Sequence, residues 1–151
     1  MDMDILPLDF IGWFYAVACA AAILGGVGIL IFLENRGQLT TRYQNYSIWN
    51  DVMLMVIWAI GLGGAIGVLY RNPWGQWMLQ LFCWMLIALA VTSGATRLFT
   101  LKRIAKGNLS PGDWTHSVIG VVMVVAPIVV FCLGTIVSLR TDEALAAFGI
   151  H

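Results

Sequence analysis

Few residues in this chain have the types and spacing that chemistry needs. Asp113 and His116 stand three apart at the expected start of a helix, where they share a face. A carboxylate beside an imidazole can orient a ring or hold a proton, but without a nucleophile or a metal it names no reaction. Gln80 lies in an apolar run, with Trp84 one turn on and Trp77 on nearly the same face. An amide in that setting either closes an interhelical hydrogen bond, to a carbonyl or to the indole of Trp58, or makes the polar contact to a quinone, lipid or small solute. Arg97, Lys102, Arg103 and Lys106 form a basic run that follows Thr92, Ser93 and Thr96, whose hydroxyls offer the Arg97 guanidinium nearby acceptors. These cations either fix topology by snorkelling to headgroups or hold an anionic lipid or an acidic partner surface. Each is worth about 1 kcal/mol near an anionic leaflet.

The remaining chemistry is excluded more firmly than it is suggested. Cys19, Cys83 and Cys132 each sit inside a long apolar run and form no CxxC pair, which argues against a disulfide framework and a thiol oxidoreductase. His116 and His151 both lie outside the apolar runs, so the facing imidazoles of a membrane haem are missing. No Asp, Glu, Lys, Arg or His occupies the middle of a run, whereas coupled carriers and pumps usually need such a group. Zinc motifs, phosphate-binding glycine loops and a credible Ser-His-Asp set are absent too. The expectation is therefore no catalytic residue, no metal and no cofactor.

The elements that position these residues follow from composition. Of 151 residues, 60% are hydrophobic and 11% charged, and the mean hydropathy is +0.87. A soluble surface needs about 25% charged residues. The chain reads as an all-α membrane protein, a single four-transmembrane-helix bundle with spans near 10–33, 52–70, 77–96 and 117–139. The formal net charge of zero excludes the basic footprint of a nucleic-acid binder. That zero is a cancellation. Arg36, Arg42, Arg97, Lys102, Arg103 and Lys106 fall on one side of the membrane; only Arg71 and Arg140 fall on the other, with Asp2, Asp4, Asp9, Asp142 and Glu143. The positive-inside rule makes the first side cytoplasmic and puts both termini on the non-cytoplasmic side, in a bacterial inner membrane.

Helix ends are marked by local signals. Pro7 opens the first helix, which ends near Arg36 with Gly37 after it; Asn72-Pro73 caps and starts the third, which runs to Lys106; and Ser110-Pro111 does the same for the fourth. Pro127 predicts a kink in that last helix. Trp13, Tyr70, Trp74 and Trp77 would belt one interface, and Tyr43, Tyr46, Trp49 and Trp114 the other.

Small residues give the strongest packing signal. Ala59, Gly63 and Gly67 recur at one-turn spacing in the second span, as do Ala18, Ala22 and Gly26 in the first. Lipid gives apolar helices no hydrophobic reason to associate, so close backbone approach has to supply the contact. The stripe Gly67–Trp77 is similar to a hairpin of small bacterial four-helix membrane proteins. Gly63-Gly64-Ala65-Ile66-Gly67 followed by Arg71 resembles the glycine-rich opening of small fluoride channels. It stands in the second span rather than the first, and no asparagine-bearing pore segment accompanies it, so no function is carried over. The sequence predicts a protein that works by helix association, as an accessory subunit of a larger respiratory or transport complex or as a homo-oligomer, with membrane lipids, other subunits or its own copies as partners. A dimeric small-solute channel or transporter, and a lipid- or quinone-interacting enzyme using Asp113 and His116, are the alternatives.

Overall fold

The computed structural model describes residues 7–38, 43, 47–104 and 111–149. Four long helices, α1 (Leu8–Asn35), α2 (Ile48–Leu69), α3 (Pro73–Ile104) and α4 (Pro111–Ser138), precede a short α5 (Asp142–Ala147). Every regular element among the described residues is helical, and the four long helices are long and apolar enough to span a membrane.

The turn chemistry read from sequence sets most of these boundaries. Pro7 is the N-cap of α1. At its other end Gly37 takes φ 66, and its N–H donates to Glu34 O at 2.9 Å while Gln38 N–H donates to Leu33 O at 3.0 Å. These bonds satisfy carbonyls that the helix leaves open. Between α2 and α3 the chain reverses within a few residues. Asn72 N–H reaches back to Gly67 O at 2.8 Å, and Asn72 Oδ1 accepts from Trp74 N–H at 3.1 Å, as a capping side chain should. Arg71 occupies the left-handed position of this turn, φ 54, where glycine is the usual occupant.

Two features differ from the sequence reading, the start of α2 and the segment after Arg140. α2 starts at Ile48 rather than 52, because Trp49, Asn50 and Asp51 form a polar first turn that hydropathy alone does not count. α3 is described to Ile104; Lys106, Gly107 and Ser110 lie outside the described residues. Its 32 residues still measure roughly 48 Å, well beyond a ~30 Å hydrocarbon core. The segment after Arg140, beyond the last span read from sequence, folds into α5. Thr141 Oγ1 accepts from Ala144 N–H at 3.4 Å, and Ala144 and Phe148 are buried with Leu139 under the end of the bundle. α4 continues as a helix through Pro127.

Each long helix packs on the next in sequence, α1 on α2, α2 on α3 and α3 on α4. The packing is lopsided. Among the described residues, every buried residue of α1, α2 and α4 lies in the half nearer Arg71, and on α3 only Gly94 lies beyond it. Glycine explains the close approach there. A Cβ on Gly67 would fall 2.5 Å from Gly75 Cα, and one on Gly64 would fall 2.7 Å from Leu79 N, so α2 and α3 touch backbone to backbone. A Cβ on Gly61 would meet Phe82 and Cys19, and one on Gly12 would meet Leu69.

Gly75→Ala should push α2 off α3 and lower unfolding stability in detergent by about 1–3 kcal/mol, the range for overpacking. Arg71→Gly should instead raise it by ~1 kcal/mol, by relieving the left-handed residue. Thermal or denaturant unfolding followed by helical circular dichroism reads both.

Candidate functional site

Two polar features stand out in this apolar fold, one in each half. The first is a buried hydrogen-bonded chain in the half nearer Arg71. Tyr15 of α1 reaches across to α4, its Oη 3.1 Å from Thr135 Oγ1. Thr135 donates its one proton to Phe131 O at 2.9 Å, so in the Tyr15–Thr135 bond the phenol must donate. Cys83 Sγ of α3 then donates to Tyr15 Oη at 3.4 Å. Cys132 Sγ lies 3.9 Å from the same phenol oxygen, a second and longer acceptor for its proton. The donors run in one direction, from α3 through α1 to α4, and end on a backbone carbonyl. Rings hold the phenol in place: Phe82 lies edge-on at 6.0 Å, and Phe131 lies at 5.7 Å.

Nearer the Arg71 end, Gln76 Nε2 donates to Leu139 O at 2.6 Å. Gln76 Oε1 and Ser138 Oγ are buried beside this bond without a partner. Cys19, Cys83 and Cys132 are free and buried. The described residues bring together no group of His, Cys, Asp or Glu that could hold a metal ion. The arrangement ties three helices together and shields its sulfurs; it presents no reactive atom to an outside ligand.

The second feature is a lateral cleft of about 550 Å³ in the opposite half, lined by α2, α3 and α4. Leu54, Ile57 and Trp58 line it from α2, and Gly120, Val121, Val124, Val125 and Ile128 from α4. Its polar side chains are Ser93 and Arg97 of α3. Its floor is the α3–α4 contact, where a Cβ on buried Gly94 would meet Val121 at 2.9 Å.

The residues singled out from sequence are dispersed. Trp58 packs on the Phe82 ring, centroids 5.6 Å apart, and lines the cleft. Gln80 is buried and is not among the cleft-lining residues, while Trp84 and Trp77 face outward. Gln80, Trp84 and Trp58 therefore do not converge on one cavity. The rise and twist of α3 place Gln80 on its inward stripe, and the large indoles that follow are left outside. Arg97, Lys102 and Arg103 are exposed. Two of the three hydroxyls expected near Arg97 donate their protons to their own helix, and the third, Ser93, lines the cleft with Arg97. Thr92 Oγ1 donates to Ala88 O at 2.7 Å and Thr96 Oγ1 to Thr92 O at 2.7 Å. His116 is exposed, and the side chain of Asp113 lies outside the described residues.

The small-residue stripes divide. Gly63 and Gly67 face α3, through Met78 and Gly75, and Gly26 faces Met55 of α2. Ala22 joins Gly26 in lining a recess of about 170 Å³ beside Asp51 and Trp58. Ala18 lies in a shallow outward recess with Trp13 and Phe14, and Ala59 is exposed. The sequence reading passed over Tyr15, Thr135 and Gln76. A lone tyrosine seven residues into an apolar helix was the available signal, since a buried phenol almost always finds a partner.

The fold thus defines an all-helical protein with four helices of membrane-spanning length, a locked end and a cleft at the other. Comparison with protein-family models, with curated proteins and with solved structures finds no match to this chain.

Tyr15→Phe and Thr135→Val should each destabilise the fold. Combined in a double-mutant cycle they should couple by about 0.6–1.7 kcal/mol, the range for hydrogen bonds between helices in a membrane setting. Maleimide labelling should leave all three thiols unreacted in the native protein and modify them after denaturation.

Proposed function

We propose that this is an integral membrane protein that acts in the plane of the bilayer by helix association, as an accessory subunit of a larger membrane complex or as a homo-oligomer. The orientation that goes with this reading follows the charge asymmetry. The Arg97 end lies in the cytoplasm of a bacterial inner membrane, and both termini lie outside.

The observation that carries the proposal is on α1. Gly25 and Gly28 sit inside this helix, yet nothing lies within 4 Å of a Cβ built on either. Glycine in a helix interior costs ~1 kcal/mol relative to alanine. At Gly12, Gly61, Gly64 and Gly67 a neighbour within the chain explains the missing side chain; at Gly25 and Gly28 none does. The same helix is the least covered of the four, with 6% of its most apolar window buried. Ala21, Leu24 and Gly25 are all exposed there, a face on which another helix can approach as closely as α2 approaches α3.

Gly28→Leu tests this without disturbing the fold, because the added side chain enters open space. Wild-type protein extracted in mild detergent should carry a partner chain or a second copy by native mass spectrometry. The Gly28→Leu variant should run as a single chain with unchanged helix content. A wild-type protein that is itself a lone monomer, or a variant that keeps its partner, would sink the proposal.

A further inference from the structure

We infer that the cleft between α2, α3 and α4 is a binding site for one anionic phospholipid, with the headgroup phosphate on Arg97 and an acyl chain lying inward past Val124 to Trp58.

The dimensions fit one chain of a lipid. Along α3 the lining runs from Leu86 to Arg97, which at ~1.5 Å per residue is about 16 Å. That matches half of a ~30 Å hydrocarbon core, the depth of a single leaflet. The cleft volume of about 550 Å³ lies within the range of roughly 300–1,000 Å³ typical of small-molecule sites.

The polarity fits a lipid held by its head. The walls are aliphatic apart from Trp58, and Ser93 and Arg97 lie at one end of the α3 stripe. The cleft lining contains no carboxylate, and among the described residues Arg97 has no ion-pair partner. Thr92 and Thr96 commit their protons to their own helix, which leaves the Arg97 guanidinium and the Ser93 hydroxyl as the side-chain donors at this end of the cleft. A guanidinium grips a phosphate through paired N–H donors. Lys102 and Arg103, exposed farther along α3, add positive potential on the headgroup side. Gly120 leaves the α4 wall open, with nothing within 4 Å of a built Cβ. The inference stands apart from the association proposal, which concerns the outward face of α1.

Trp58 reports on the site. A variant keeping Trp58 as its sole tryptophan, the others changed to Phe, is reconstituted in phosphatidylcholine vesicles. These contain a minor fraction of acyl-dibrominated phosphatidylglycerol or, at the same fraction, dibrominated phosphatidylcholine. Trp58 quenching should require roughly fivefold less of the anionic lipid, the equivalent of ~1 kcal/mol from one cation. Arg97→Gln should erase that preference. In parallel, native mass spectrometry of protein with its full tryptophan complement should show a retained phosphatidylglycerol adduct that Arg97→Gln loses; this arm does not depend on the tryptophan replacements. Equal quenching by the two lipids, or an adduct unaffected by Arg97→Gln, would overturn the inference. So would quenching by added ubiquinone with no headgroup preference, which would assign the cleft to a neutral quinone.

Discussion

The contact on which the rest depends is the meeting of two backbones at Gly67 and Gly75. Water drives apolar helices together in a soluble bundle, but hydrocarbon does not. What remains is dispersion, and dispersion rewards only surfaces that come very close. The tight turn at Arg71–Asn72 delivers α3 antiparallel to α2 at the point where neither helix carries a side chain. Gly64 against Leu79 continues the contact one turn deeper. With that pair fixed, α1 seats through Gly12 against Leu69 and through Cys19 against Gly61, and the aromatic group around Tyr15 can reach α4.

The hydrogen-bonded chain complements this contact in kind. Dispersion between small residues is permissive about sliding, whereas a phenol that must meet a particular threonine is not. Tyr15, Thr135 and Cys83 come from different helices, and each bond satisfies a group that hydrocarbon would otherwise leave bare. Register is therefore set by polar atoms and proximity by glycines. α5 finishes the same end, with Phe148 and Ala144 packed beneath it.

The sequence carried the helices and their capped ends, because Pro, Gly and Asn act locally. Pro7, Gly37, Asn72 and Pro73 all sit where their backbone preferences put them. That Gly63 lies against Met78 and Gly67 against Gly75 of α3 is not legible in the one-turn spacing. It did not carry the site. Whether Gln80 or Trp84 faces inward depends on how α3 is rotated against its neighbours, and that rotation is set by long-range contacts with no periodic trace. The short α5 escaped notice because a turn and a half has no amphipathic period to read, although Thr141 with Asp142 and Glu143 is a recognisable cap and first turn.

The concentration of buried residues in one half has a mechanical meaning. Backbone contacts, hydrogen bonds and packed rings clamp the Arg71 end, while a cleft lined by α2, α3 and α4 lies toward the other. One end of the helix set is therefore held by contacts within the chain itself, while the other keeps an apolar cleft that a molecule from outside the chain can fill.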